Sequence, residues 1–114
     1  MDKRIEALGR WGCDIEDAME LMEDEDFYIE CAEAIAKDPA FGKLKKYMEE
    51  KSYEEAFEYA HQLKGVLANV RLTPMYKKTD EIVKQFKAGS CENLMPKVEE
   101  LLKMKEKLEE ILKG

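Results

Sequence analysis

Apolar residues in this chain of 114 residues recur at intervals of three and four, and nowhere do they alternate with polar residues over a strand-length stretch. Intervals of three and four place side chains on one face of an α-helix, whereas a half-buried strand needs a period of two. The chain has only 6 glycines and 3 prolines, so few positions oppose helix formation. The sequence therefore predicts an all-α fold, and the short loops favour an antiparallel up-and-down bundle.

Capping residues and helix breakers divide the chain into segments. Ser52 and Glu55 have the spacing of a capping box, and Thr73 followed by Pro74 is typical of a helix start. We expect residues 1–13 to form an N-terminal arm or short accessory helix beside a bundle made by 14–114. Within the bundle we predict five helices. The first covers about 14–22, and the second runs from the acidic cluster 23–26 to about 50 with an interruption or kink at 38–39. The others cover 52–70, 73–88 and the residues from Ser90 or Asn93 onward.

The apolar stripes of these segments predict the core. The first two stripes are Ile15, Ala18, Leu21 and Met22, then Phe27, Cys31, Ala34 and Ile35, continued by Phe41, Leu44 and Met48. The later stripes are Tyr53, Ala56, Ala60, Leu63, Leu67 and Val70, then Met75, Thr79, Ile82, Val83 and Phe86, then Leu94, Val98, Leu101, Leu108 and Leu112.

The charge pattern argues against nucleic acid as a partner, because the net charge is −7 and phosphate binding needs a basic face. Residues 1–38 hold 13 acids against 4 bases, whereas residues 61–87 hold 6 bases against 2 acids. The basic stretch is compatible with a docking face for an acidic partner or anion. Chance variation along a helical segment of this length explains the same excess equally well.

Other partners and sites are disfavoured by composition. No apolar run approaches the roughly 18–20 residues that span a membrane, and no signal-peptide pattern opens the chain, so we expect a cytoplasmic protein without membrane association. Three cysteines without a Cys-x-x-Cys pair predict buried free thiols and not a disulfide framework or zinc site. One histidine and scattered cysteines do not provide the ligand set of a metal or haem bundle.

The single histidine, His61, is expected to point away from the core. At about 100° per residue it lies roughly 130° from the centre of the apolar stripe of its helix. Lys64 is one turn away, and Gly65 and Ala68 leave room for a reactant to approach. A neutral imidazole is a nucleophile toward phosphorus, and an ammonium group offsets the charge of the transferred group. These residues favour a phosphoryl acceptor, with an ordinary surface histidine beside a tolerated glycine as the alternative.

The segment from Ala60 to Val70 reads Ala-His-Gln-Leu-Lys-Gly-Val-Leu-Ala-Asn-Val and resembles the Ala-His-x-Leu-Lys-Gly motif of histidine-containing phosphotransfer (HPt) domains. The resemblance extends from about Asp14 to Lys113. It implies an antiparallel four-helix bundle that has no catalytic activity of its own. The bundle would accept a phosphoryl group from the aspartate of one receiver domain and pass it to another, with the receiver supplying Mg²⁺, so no resident cofactor is expected.

The resemblance assigns roles to individual residues. His61 would be the phosphoryl acceptor and Lys64 would neutralise the phosphoryl oxygens, while Gly65 and Ala68 would let the receiver approach. Apart from these motif positions, Lys84 or Lys87 on the next helix is a candidate to reach the phosphoryl group. The implied partners are receiver domains of response regulators and hybrid histidine kinases, bound by a monomer.

Two positions depart from the family pattern. Arg71 stands where the family usually has glycine, which should alter the turn after the helix of the motif. Val83 stands where many members place a polar residue that orients the histidine, and Gln85 should point elsewhere. Glu58, one turn before His61, is then a candidate acceptor for a hydrogen bond from the ring.

Two other readings differ in class from the phosphocarrier. An adaptor that binds a receiver domain or another helical partner without carrying phosphate would be favoured by a buried or unreactive His61. A hydrolase is disfavoured, because no Ser-His-acid or Cys-His set is apparent. Within the phosphocarrier class, a free-standing relay protein and one domain of a larger protein, such as a chemotaxis kinase, fit the sequence equally well.

Overall fold

The computed structural model describes all residues from 1 to 114 and contains helices without any strand. No helix is both long enough and apolar enough to pass through a membrane. The helices are α1 Lys3–Trp11, α2 Ile15–Met22, α3 Glu25–Ala36, α4 Ala40–Glu49, α5 Tyr53–Asn69, α6 Thr73–Lys87 and α7 Met95–Lys113, with a 3-10 turn at Cys91–Asn93 before α7. The all-helical prediction is confirmed.

The longer helices enclose one buried core. Helix α5 packs between α4 and α6, and α7 contacts α3, α4 and α6, so that these helices surround a shared apolar interior. Helix α1 also contributes, because Ile5 and Leu8 are fully buried and α1 contacts α7. The core is continuous, with 27 buried apolar residues in one cluster, and this continuity fixes the face that each helix turns to solvent.

The α3–α4 break follows from Asp38 and Pro39. The residue before a proline disfavours the α conformation, so α3 ends at Ala36. The Asp38 side chain then accepts a hydrogen bond of 2.8 Å from the backbone N–H of Ala40 and starts α4. The predicted interruption is confirmed.

The predicted stripes of α2 and α3 are partly wrong. Helix α3 buries Tyr28, Ile29, Ala32, Ile35 and Ala36, whereas Phe27 is 51% exposed and Ala34 is exposed. On α2, Leu21 is 62% exposed. Helix α3 carries apolar side chains on more than one face, so its packing partners and not its periodicity select the buried one. The stripes of α5, α6 and α7 are buried as predicted except for Tyr53 and Phe86, which are half-buried.

Two predicted helix caps do not form. Ser52 precedes α5 as expected, but its side chain makes no capping hydrogen bond, so the capping box with Glu55 is wrong. Thr73 is the first residue of α6 and not its cap. Its hydroxyl instead accepts a hydrogen bond from the Asp14 backbone N–H and donates one to the Arg71 carbonyl oxygen. Thr73 thereby ties the start of α2 to the turn before α6.

Three helix ends place a residue other than glycine in the left-handed region. Glu23 after α2, Lys51 after α4 and Arg71 after α5 have φ values of 58°, 58° and 56°. Such a residue closes the last turn of a helix and reverses the chain, at a steric cost of about 1–2 kcal/mol when a Cβ is present. The turns are therefore short and sharp at these positions.

Candidate functional site

The site lies on the outward face of α5, where it borders α6. Ala60, Leu63 and Leu67 of α5 are fully buried. Because the helix has 3.6 residues per turn, this buried stripe turns His61 outward, and His61 is exposed as the sequence predicted. The ring is therefore accessible to a partner protein.

The ring of His61 is held by packing and not by a hydrogen bond. Its centroid lies 6.0 Å from that of Phe57, one turn earlier on α5, with the planes tilted by 41°. Phe57 in turn meets the ring of Phe86 on α6 edge-to-face at 5.7 Å. These spacings are typical of aromatic pairs. An aromatic row from α6 to His61 therefore flanks the imidazole on one side.

None of the polar residues considered for orienting His61 reaches it. The predicted hydrogen bond from the ring to Glu58 is wrong, because His61 makes no side-chain hydrogen bond in the structure, although both residues line one shallow depression. Val83 is fully buried and has no polar atom to offer. Gln85 points away, as predicted, and donates a hydrogen bond of 2.7 Å to the Ser90 carbonyl oxygen.

Lys64 is engaged by an acid on the neighbouring helix. Its Nζ lies 3.0 Å from Oδ1 of Asp80, and Nζ of Lys84 lies 3.0 Å from Oδ2 of the same carboxylate. The ammonium groups of Lys84 and Lys64 hold the pKa of the Asp80 carboxyl below its usual value, because they favour the charged form. The carboxylate therefore bridges α5 and α6 beside the site.

Lys87 takes a different position from Lys84. It lines the depression that holds His61, together with Phe57, Glu58 and Gln62, and it has no ion-pair partner. Lys84 is 75% exposed and directed at Asp80. Of the two α6 lysines expected to approach the phosphoryl group, the structure brings Lys87 to the edge of the histidine depression.

Gly65 and Ala68 keep the α5 surface low beyond His61. A Cβ atom built on Gly65 would meet no heavy atom within 4 Å, so its small size is not required by packing inside the protein. Glycine inside a helix costs roughly 1 kcal/mol relative to alanine. Ala68 is half-buried and lines an open pocket with Leu67, Arg71 and Tyr76, among others. The open surface beside His61 thus leaves space for a partner.

Arg71 caps the C-terminal end of α5. Its Nη1 donates a hydrogen bond of 2.7 Å to the Ala68 carbonyl oxygen and one of 3.3 Å to that of Asn69, while its Nε pairs with Asp17 of α2. Carbonyls in the last turn of a helix lack helical partners, and a guanidinium satisfies them. The charge of Arg71 is consequently directed at Asp17 and the helix end.

Four of the six bases in residues 61–87 form ion pairs. Lys64 and Lys84 share Asp80, Arg71 pairs with Asp17, and Lys78 lies 2.7 Å from Glu100 and 3.6 Å from Glu81. Only Lys77 and Lys87 of this stretch have no ion-pair partner. The count of 6 bases against 2 acids already includes Asp80 and Glu81, so only Asp17 of α2 and Glu100 of α7 reduce the excess, and the docking face stays a prediction.

Asp80 and Phe86 are neighbours of the site that the sequence did not indicate. The contact between Phe57 and His61 follows from helical spacing and is confirmed, because residues four apart on a helix contact each other. Asp80 precedes Lys84 by four residues, which predicts their pairing, but its contact with Lys64 depends on how α5 and α6 pack. No three His, Cys, Asp or Glu side chains converge to hold a metal ion.

Comparison with known proteins gives one result. A family model described as the Hpt domain matches residues 14–113 of the chain, from the residue that precedes α2 to the last residue of α7. No curated protein and no solved structure gives a significant match. The matched region contains every residue of the site described above.

Proposed function

The chain belongs to the Hpt domain family, and we propose that it carries a phosphoryl group on His61 between the aspartates of two receiver domains. Hpt domains act in two-component signalling as phosphocarriers that interact with receiver domains. The observation that carries the assignment to His61 is the exposure of the only imidazole in the chain. It lies on a helix face that Gly65 leaves open.

The proposed step is a reversible transfer between an aspartyl phosphate and the imidazole. A ring nitrogen lone pair forms the N–P bond while the O–P bond to the aspartate breaks, and its electron pair stays on the carboxylate. The other ring nitrogen releases its proton to solvent. Lys64 neutralises the phosphoryl oxygens, and Lys87 adds a second cation at the edge of the depression. Transfer to the second receiver runs the same exchange in reverse.

We place this chemistry in a four-helix bundle. The interrupted helix α3–α4 counts as one member, and α5, α6 and α7 are the other three. Helix α1 is an accessory helix on residues 1–13. The partners are receiver domains of response regulators and hybrid histidine kinases, and the receiver brings the Mg²⁺ that the transfer needs. The protein acts in the cytoplasm as a monomer. It has no catalytic activity apart from its receivers.

The test is phosphoryl transfer from a panel of ³²P-labelled phospho-receiver domains, with His61→Gln as the control. We expect label that survives alkali, is lost in acid and is absent from the variant. The thermal melt of the variant should match that of the parent, because an exposed side chain without hydrogen bonds contributes little to stability. Absence of label from every donor, with receivers still bound in a pull-down, would favour an adaptor that carries no phosphate.

A further inference from the structure

One carboxylate pairs with two ammonium groups, and one of these belongs to the lysine three residues after His61. Asp80 on α6 lies 3.0 Å from Lys64 of α5 through Oδ1 and 3.0 Å from Lys84 of its own helix through Oδ2. The Lys64 side chain is 30% exposed and crosses to the neighbouring helix, whereas that of Lys84 is 75% exposed. In the unphosphorylated protein, the ammonium of Lys64 therefore already has an anionic partner.

His61 and Lys64 are three residues apart on α5, a spacing that makes them neighbours on the helix surface. A phosphoryl group on the His61 ring would bring further oxygens, with negative charge, toward the flexible stem of Lys64. The ammonium would then have two anions within reach, the phosphoryl group and the Asp80 carboxylate. The two anions would then compete for the same three N–H donors.

We propose that Asp80 competes with the phosphoryl group on His61 for the ammonium of Lys64 and thereby lowers the stability of the phosphorylated state. This proposal rests on the proposed carrier function. On phosphorylation, Lys64 moves from Asp80 to the phosphoryl oxygens. Lys84 stays on Asp80, so the carboxylate keeps a cation. Asp80 is a positioning residue, since it acts on the reacting group only through Lys64.

The competition has a direct consequence for a carrier. A phosphoryl group that Lys64 held without a rival would be more stable on His61 and harder to pass on. Because Asp80 can pair with the Lys64 ammonium again, it favours release of the phosphoryl group to the next receiver. The balance between retention and release is thus set by one carboxylate across the α5–α6 interface.

The experiment uses phosphoramidate, which labels an accessible imidazole without a receiver: the N–P bond to the ring forms, the P–N bond of the reagent breaks, and ammonia leaves. Decay of the phosphohistidine at neutral pH is followed by ³¹P NMR, with His61→Gln to assign the signal. We expect Asp80→Asn to lengthen the lifetime by about twofold to fivefold, the effect of one exposed ion pair.

Glu81→Gln is the matched control, because it removes the same charge from the same helix. Glu81 instead faces Lys78 at 3.6 Å and Lys97 at 3.7 Å. We expect the lifetime of this variant to equal that of the parent protein. Lys64→Met, alone and combined with Asp80→Asn, completes a double-mutant cycle. In the Lys64→Met background, Asp80→Asn should have no effect.

Each other outcome contradicts either the competition for Lys64 or the carrier function. An unchanged or shorter lifetime in Asp80→Asn overturns the competition and leaves the carrier function standing. A longer lifetime that persists in the Lys64→Met background also overturns it, because Asp80 then repels the phosphoryl group directly. Failure of phosphoramidate to label the parent protein at His61 overturns the carrier function, and the competition with it.

Discussion

The guanidinium of Arg71 joins the end of α5 to Asp17 of α2 through its Nε. The same side chain donates from Nη1 to the carbonyl oxygen of Ala68, in the last turn of α5. Arg71 does this from the left-handed region, with φ of 56°, where glycine is the residue without steric cost. The contacts of its side chain offset the strain of its backbone.

Two replacements of Arg71 separate the energy of its side-chain contacts from the strain of its backbone. Arg71→Ala keeps a Cβ in the left-handed turn and loses the contacts to Asp17 and Ala68, so we expect it to lower the free energy of unfolding by about 1 kcal/mol or more. Arg71→Gly loses the same contacts but relieves the strain, and it should be about 1 kcal/mol more stable than Arg71→Ala. Urea titrations of both variants measure the difference. Equal stabilities would mean that the left-handed turn stores no strain.

Gly65→Ala should make the protein more stable and slow phosphoryl transfer. The new Cβ meets nothing inside the protein, so the helix should gain roughly 0.5–1 kcal/mol. On the open face beside His61, the same methyl group would hold back a docking receiver. A misplacement on the order of 1 Å costs up to about 10²-fold in rate, so we expect transfer to slow by about tenfold or more. Thermal melts and single-turnover transfer assays measure the two effects.

Gly42→Ala is the matched control for that experiment. Gly42 lies in α4, and a Cβ there also meets no atom within 4 Å. We expect a similar gain in stability with unchanged transfer. Normal transfer by Gly65→Ala would show that the receiver does not approach this part of α5.

Tyr28→Phe should not destabilise the protein. Tyr28 is fully buried in α3, its hydroxyl has no hydrogen-bond partner, and burial raises its pKa well above the usual range. Removing an unpaired buried hydroxyl is neutral or stabilising, by up to about 1 kcal/mol. Tyr28→Ala, which also removes the ring, should cost about 3–5 kcal/mol. A clear loss of stability in Tyr28→Phe would reveal a polar partner for the hydroxyl.

The three thiols should react at different rates. Burial raises the pKa of the Cys13 thiol to about 12, so at neutral pH it is protonated as well as shielded. Cys31 and Cys91 are half-buried. We expect iodoacetamide to modify these two in the folded protein and Cys13 only after denaturation, as peptide mass spectrometry would show. Early modification of Cys13 would indicate that the region around α1 and α2 opens.

Periodicity predicted the parts of the site that belong to one helix. The stripe of Ala60, Leu63 and Leu67 predicts that His61 points outward, and these three residues are buried in α5. The same reasoning failed for α3, where Phe27 and Tyr28 are both large and apolar and only one is buried. The choice between them depends on α2, α7 and the other helices that cover α3.

Contacts between helices could not be read from the sequence. The pairing of Lys64 with Asp80 joins positions whose distance depends on the packing of α5 against α6. The conformation of Arg71 is similar, because its φ above zero is stabilised by Asp17 of another helix. Residue spacing along one helix does not predict which residues of another helix it contacts.

The burial of Ile5 and Leu8 has a practical consequence for anyone who trims this protein. The family match begins at residue 14, which invites excision there, yet both side chains of α1 lie in the continuous core. A chain cut at that point would uncover the apolar surface beneath them, on α7 and its neighbours. Weak binding or aggregation of such a fragment would then result from the exposed hydrophobic surface and would not report on the chemistry of its histidine.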